Sequence, residues 1–292
     1  MKRNRETLQK LLEMDTTQLE VLKLAMEQNP NLEEREKEVF KGMLVFFQKY
    51  PIKDYRYAIE HAYLLKIKLK HFSLNKSLME VKNNVIKSWI PKEHPEYLEV
   101  LKHEFVHLLN PNLPEYYRNG FNEGLTNLIM MDTYQIPLSQ IHYMHITLLM
   151  RMLVHIYGFK SWIQTYQGQE NNFILEEMQK VLGKDQLLFM QVANSFVNEL
   201  EYVKKSLIEE ALERGFLSDE SQSEYVSYDI ESTKKKMEIW KLISQLYQHK
   251  YGRMIELDAT MMQYLDLYLK DVLTLQQISS PYIKQIEKVL RK

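Results

Sequence analysis

His103, Glu104 and His107 are the residues of this chain whose types and spacing can do chemistry. Two histidines four residues apart on a helix share one face, one turn apart, where both imidazoles can grip a single ion. Glu104 follows the first histidine directly and so projects about 100° around the helix from it. Its carboxylate then stands beside the ion rather than on it, placed to take a proton from an ion-held water. The segment reads as helix. Leu101, Phe105, Leu108 and Leu109 supply apolar positions, and Pro111 stops the run. Histidine and glutamate among apolar neighbours are costly unless something satisfies them, and a metal ion would. The competing reading is two surface histidines flanking a glutamate on an amphipathic helix.

The chain has no cysteine, so any ion must be held by imidazole and carboxylate. Catalytic zinc usually keeps three protein ligands and one open position for water. Two carboxylates compete for the third place. Glu123 opens the next helix after a turn rich in Pro, Asn and Gly, which lets two helices run side by side. It also fits the ordinary preference of acidic residues for helix N-termini. Glu115 follows Pro114 in the intervening loop. Tyr116, Tyr117 and Arg118 lie in the same loop, where they could line a cleft or simply keep it solvated.

His103-Glu104-x-x-His107, followed by Asn122-Glu123-Gly124-Leu125-Thr126, resembles the thermolysin-like, glutamate-liganded zinc peptidases, the gluzincins. It most resembles their bacterial branch, whose second helix reads Asn-Glu-Gly-Leu-Thr-Glu. The resemblance covers residues 100–130. It extends weakly towards 183, through Gly158 and Gln164-Thr165-Tyr166-Gln167-Gly168, and does not reach residues 1–50 or 203–292. It implies one zinc per chain, held by His103, His107 and Glu123, with Glu104 as general base and a peptide or protein as substrate. It also implies a second donor to the reaction's oxyanion, a His or Tyr from the helix after Glu123. Tyr143 fits best by resemblance, and His142 and His145 are the alternatives. One position departs from the pattern. Asn127 stands one turn after Glu123, where these relatives often carry an acidic residue that orients a ligand histidine. An asparagine oxygen can accept an imidazole N–H, but without charge.

The elements that must position these residues are mostly helices. Gly and Pro number only eight each, and they fall between periodic segments. Helix is expected over 5–28, 32–50, 96–110, 121–134, 140–157 (capped by Ser139 and ended by Gly158), 159–166, 171–182, 184–212, 228–249 and 258–290. Alternation in 65–70 and the run 84–90 predict two short strands. The expected fold is α+β and mostly helical. A zincin-like core carries a small sheet packed on the His103–His107 helix, with extra helices at both ends. The expected division is an N-terminal helical region at 1–50, a core at 51–215 and a helical extension at 216–292, with the polar stretch 218–224 as the linker. Met130, Met131, Met144, Met150 and Met152 read as core packing. His155 reads as a core or rim residue, and His61, His71, His94 and His249 as surface residues.

A net charge of -1, from 38 basic and 39 acidic residues, leaves no global field for nucleic acid or anionic membranes. Lys234-Lys235-Lys236 reads as a solvated helix face. The basic start, Met1 to Arg5, leads into charged, amphipathic sequence rather than an apolar signal region. The most apolar stretch, 141–157, is broken by His142, His145, Arg151 and His155, so no membrane span is expected and cytoplasm is the default location. Two functions stand against each other. One is a zinc peptidase. The other is a helical regulatory or interaction module whose zinc site is structural or weakly active, motivated by Asn127 and the unassigned helical ends. A metal-free helical scaffold is a weaker third.

Overall fold

A computed structural model describes residues 2–52, 54–70, 79–82, 84–107, 120–138, 141, 143–166, 173–196, 206, 210 and 218–269. These form twelve α-helices, one 3-10 turn and a three-stranded sheet. No helix among them is long and apolar enough to cross a membrane. The chain gathers into two compact units. One comprises Met1–Asn112, Ile129–Gln135 and Tyr166–Gln169; the other comprises Leu113–Leu128, Ile136–Thr165 and Glu170–Lys292.

The first unit begins with α1 (Lys2–Leu12), α2 (Gln18–Glu27), α3 (Glu34–Lys49) and α4 (Arg56–Leu64). The helical pattern expected over 5–28 is broken in the middle, because the Thr17 hydroxyl accepts the Glu20 N–H and starts a new helix. Helix α4 was not expected. Tyr55, Tyr57 and Ile59 mimic strand alternation, yet the buried set Ile59, Ala62 and Tyr63 has helical spacing, and α4 packs on α2. Asn29 secures the link to the sheet. Its buried side-chain amide donates to Ala62 O at 2.7 Å and Leu65 O at 3.0 Å.

The sheet has the order β1 (Lys66–Leu69), β3 (Val85–Ser88), β2 (Met79–Lys82). β3 pairs parallel with β1 and antiparallel with β2. The two expected strands are present, and β2 is an addition. β1 is an edge strand whose exposed Lys66 and Lys68 oppose edge-to-edge association. On the central strand Ile86 and Ser88 are buried in alternation. β2 packs against α5 (Tyr97–His107).

Helix α5 is fixed at both levels by α3. Phe105 stacks on Phe40 with ring centroids 4.5 Å apart. Below that stack lies Glu36, which is fully buried and fully used. Its Oε1 accepts from Tyr97 Oη at 2.7 Å and from Lys92 Nζ at 2.7 Å, and its Oε2 accepts from Glu33 N at 2.8 Å in a capping box. Burial opposes the Lys92 charge, but the hydrogen bonds it donates to Glu33 and Glu36 prevail and raise its pKa.

The second unit holds the start of α6 (Gly120–Tyr134), then α7 (Met144–Tyr157), α8 (Phe159–Tyr166), α9 (Phe173–Leu182), α10 (Asp185–Ser195), α11 (Asp219–Tyr251), a 3-10 turn at Ile255–Leu257 and α12 (Ala259–Leu269). Helix α6 is covalently continuous across the two sets of residues. Its last turn is tied within the first unit, where Tyr134 Oη donates to Val39 O at 2.8 Å and Lys49 pairs with Asp132 at 2.6 Å.

Helix α7 is the core of the second unit, with Met144, Ile146, Leu148, Leu149, Met150, Met152 and Leu153 all buried. It starts at Met144, four residues later than expected, because Tyr143 takes a left-handed conformation (φ 54°, ψ 45°) that an α-helix cannot contain. Ser139 and Gln140 lie outside the described residues. Gly158 ends the helix at φ 86°, as expected.

The stretch 218–224 is not a linker but a helix start. Ser218 caps α11 by accepting the Ser221 N–H. Nor are the three lysines one solvated face, since Lys236 is only 1% exposed.

Asp258 joins α7, α11 and α12. Its Oδ2 accepts from His155 Nε2 at 3.0 Å and Tyr247 Oη at 2.8 Å, and its Oδ1 accepts from Thr260 N and Met261 N at the start of α12. Burial works against its charge, but these bonds prevail and hold its pKa down to about 2, from the ordinary 3.8.

Two stability predictions follow from these carboxylates. Glu36→Ala leaves Tyr97 and Lys92 without their buried acceptor and should cost about 3–5 kcal/mol in denaturant unfolding. The depressed pKa of Asp258 makes its contribution complete above pH 3.8 and lost as pH falls towards about 2. Urea unfolding of Asp258→Asn should therefore show a flatter pH dependence across that interval than the native chain.

Candidate metal centre

His103 and His107 lie on α5, the first buried and the second half-buried. Their Nε2 atoms approach to 3.0 Å with the rings 78° apart. Two nitrogens bound to one tetrahedral zinc at about 2.0–2.1 Å would stand roughly 3.3 Å apart, so the pair already has nearly the bite that one ion needs. Glu123, in the first turn of α6, completes the group. One ligand atom from each of the three residues lies within 4.8 Å of the other two. Two imidazoles and one carboxylate are a donor set that suits a zinc ion. Glu104 is buried on the same helix, next to His103.

What places Glu123 is the absence of side chains around it. Gly120, Gly124 and Asn127 fall within about 60° of arc on one face of α6, and Glu123 stands at its edge. A Cβ on Gly124 would sit 2.7 Å from Ile146 O and 2.6 Å from Met150 Cγ, and one on Gly120 would sit 2.6 Å from Ala193 O. Backbone therefore meets backbone where α6 crosses α7 and where it meets the end of α10. The Gly120 N–H also donates to Asn194 Oδ1 at 2.9 Å, satisfying a donor of the helix start. Sequence reasoning missed this face. The signal was present as two glycines four apart in a segment otherwise made for helix.

Asn127 is fully buried on that face, and its amide nitrogen donates to Thr147 Oγ1 at 2.9 Å. Thr147 Oγ1 in turn donates to Tyr143 O at 3.1 Å. Thr147 was not anticipated either.

The other candidates take the following places. Tyr143 is the residue before α7, in a conformation that costs a non-glycine residue about 1–2 kcal/mol. His145 is buried beside the rings of Phe196 and Tyr268. Glu115, Tyr116, Tyr117, Arg118, His142 and His71 lie outside the described residues. His155 is the rim residue already placed on Asp258. His94 is half-buried, and its Nδ1 accepts the Glu96 N–H just before α5. His61 is half-buried and stacked on Tyr57, whereas His249 is exposed.

Comparisons of the chain with protein-family models, with curated proteins and with solved structures return no match.

Gly124→Ala tests the close crossing. Helix propensity favours alanine by about 1 kcal/mol. Overpacking against a backbone carbonyl costs about 1–3 kcal/mol, so the clash should win. The variant is expected to unfold at lower denaturant and to bind zinc more weakly, as read by calorimetric titration.

Proposed function

We propose that this chain is a zinc-dependent peptidase of the gluzincin type, with His103, His107 and Glu123 as metal ligands. The observation that carries the proposal is the convergence of these three side chains from α5 and α6, with Glu104 buried beside the first histidine. The resemblance of the two helical motifs to the gluzincins adds the reaction class.

A bound zinc would supply Lewis acidity, lowering the pKa of a coordinated water from 15.7 to about 7 and polarising the scissile carbonyl. The chain's own residues would do the rest. Glu104 takes a proton from the attacking water as its oxygen bonds to the carbonyl carbon. It then delivers that proton to the amine nitrogen as the C–N bond breaks. Tyr143 would offer its phenol to the developing oxyanion. The substrate is a peptide or an accessible segment of a protein.

One observation favours a second reading, a zinc-holding module without efficient turnover. The amide nitrogen of Asn127 donates to Thr147, and this residue type lends no charge to a ligand histidine.

One experiment separates the two. Purified chain should hold about one zinc, and the zinc-loaded protein should cleave members of a peptide library read by mass spectrometry. Glu104→Gln should keep the metal and lose about 10²–10⁴-fold in kcat. Full activity in that variant would remove Glu104 from the mechanism. Zinc binding with no cleavage by the native chain would favour the module.

A further inference from the structure

We infer that Asn127 and Thr147 are positioning residues for Tyr143, and that asparagine rather than an acid is required at position 127 for that reason. The inference rests on the reading of Tyr143 as the oxyanion donor in the proposed function.

It follows from counting protons along a buried chain of hydrogen bonds. Thr147 and Asn127 are both fully buried. A threonine hydroxyl has one proton to donate. Thr147 places it on Tyr143 O, which lies 3.1 Å away and also accepts the Thr147 N–H at 3.0 Å. Towards Asn127 the same oxygen can only accept, so the group 2.9 Å from it must be an N–H. Asparagine meets that demand, whereas an ionised carboxylate has no proton to give. An aspartate at 127 would instead draw the Thr147 proton to itself, because a hydrogen bond to a charged acceptor is the stronger one. Tyr143 O would then lose its side-chain donor.

The carbonyl so held belongs to the residue with the strained backbone. Tyr143 sits at φ 54° immediately before α7, and such conformations persist only where surrounding contacts over-determine them. The two hydrogen bonds from Thr147 supply part of that constraint. Asn127 ties it to α6, one turn after Glu123, so the ligand helix and the Tyr143 backbone are set by one relay. The acid common at this place in the gluzincins would break the relay in this chain.

The test uses the full chain with ring-13C tyrosine. The Tyr143 signal among the 19 tyrosines is assigned by its loss in Tyr143→Phe. Thr147→Val removes the hydroxyl at nearly constant shape, Thr147→Ser restores it, and Asn127→Asp inserts the acid. The Tyr143 signal should shift in Thr147→Val and Asn127→Asp and return to its native position in Thr147→Ser. With zinc loaded, Thr147→Val should keep its zinc affinity within about threefold and its KM unchanged, and lose about 10- to 100-fold in kcat, the scale of a misplaced reacting group. Thr147→Ser should recover kcat. An unmoved Tyr143 signal in Thr147→Val, or a higher kcat in Asn127→Asp, would overturn the inference. If the native chain cleaves nothing while the Tyr143 signal moves as stated, the relay stands and the peptidase reading falls.

Discussion

The crossing of α6 over α7 depends on Gly124 having no side chain, and its approach to the end of α10 on Gly120 having none. At both positions a single added carbon would fall within 2.7 Å of a backbone carbonyl oxygen. Those oxygens belong to helices whose positions are set by many other contacts. The constraint therefore runs one way, with α6 conforming to α7 and α10. Glu123 stands at the edge of this bare face, so its carboxylate inherits its position from backbone packing rather than from a side-chain network. Asn127, on the same face, donates its amide to Thr147 of α7.

The histidine helix is placed by different means. A stacked pair of rings, Phe40 and Phe105, sets how closely α5 lies to α3. The Glu36 cluster sets its start, because Tyr97 Oη and Lys92 Nζ meet on one buried oxygen. A buried carboxylate with three donors is intolerant of displacement, since each donor lost leaves a charge poorly solvated. His103 and His107 therefore project from a helix anchored at its base by polar contacts and in its middle by apolar ones. Their nitrogens have converged to 3.0 Å.

The polar interior of the second unit follows the same logic. Asp258 receives four donors from three directions and so holds the ends of α7, α11 and α12 to one another. His155, which has a metal ligand's chemistry, is spent on that junction.

The sequence by itself determined most helices, the two strands at 65–70 and 84–90, and the trio His103, His107 and Glu123. These are local signals. Hydrophobic period reports an element's inner face, and a four-residue histidine spacing has one geometric meaning on a helix. It misjudged places where local and tertiary preferences differ. No element was expected over 52–64, yet α4 forms there, because Ile59, Ala62 and Tyr63 have a face on α2 to bury against. The acidic stretch after Ser218 looks like a linker until its serine is seen as a cap. Lys236 is buried within a run that reads as solvated. Only the tertiary structure decided what Gly124, Asn127 and Thr147 do. Each acts through a contact with another helix 20 or more residues away along the chain. A single sequence carries residue types but not the partners that give a missing side chain or a buried amide its purpose.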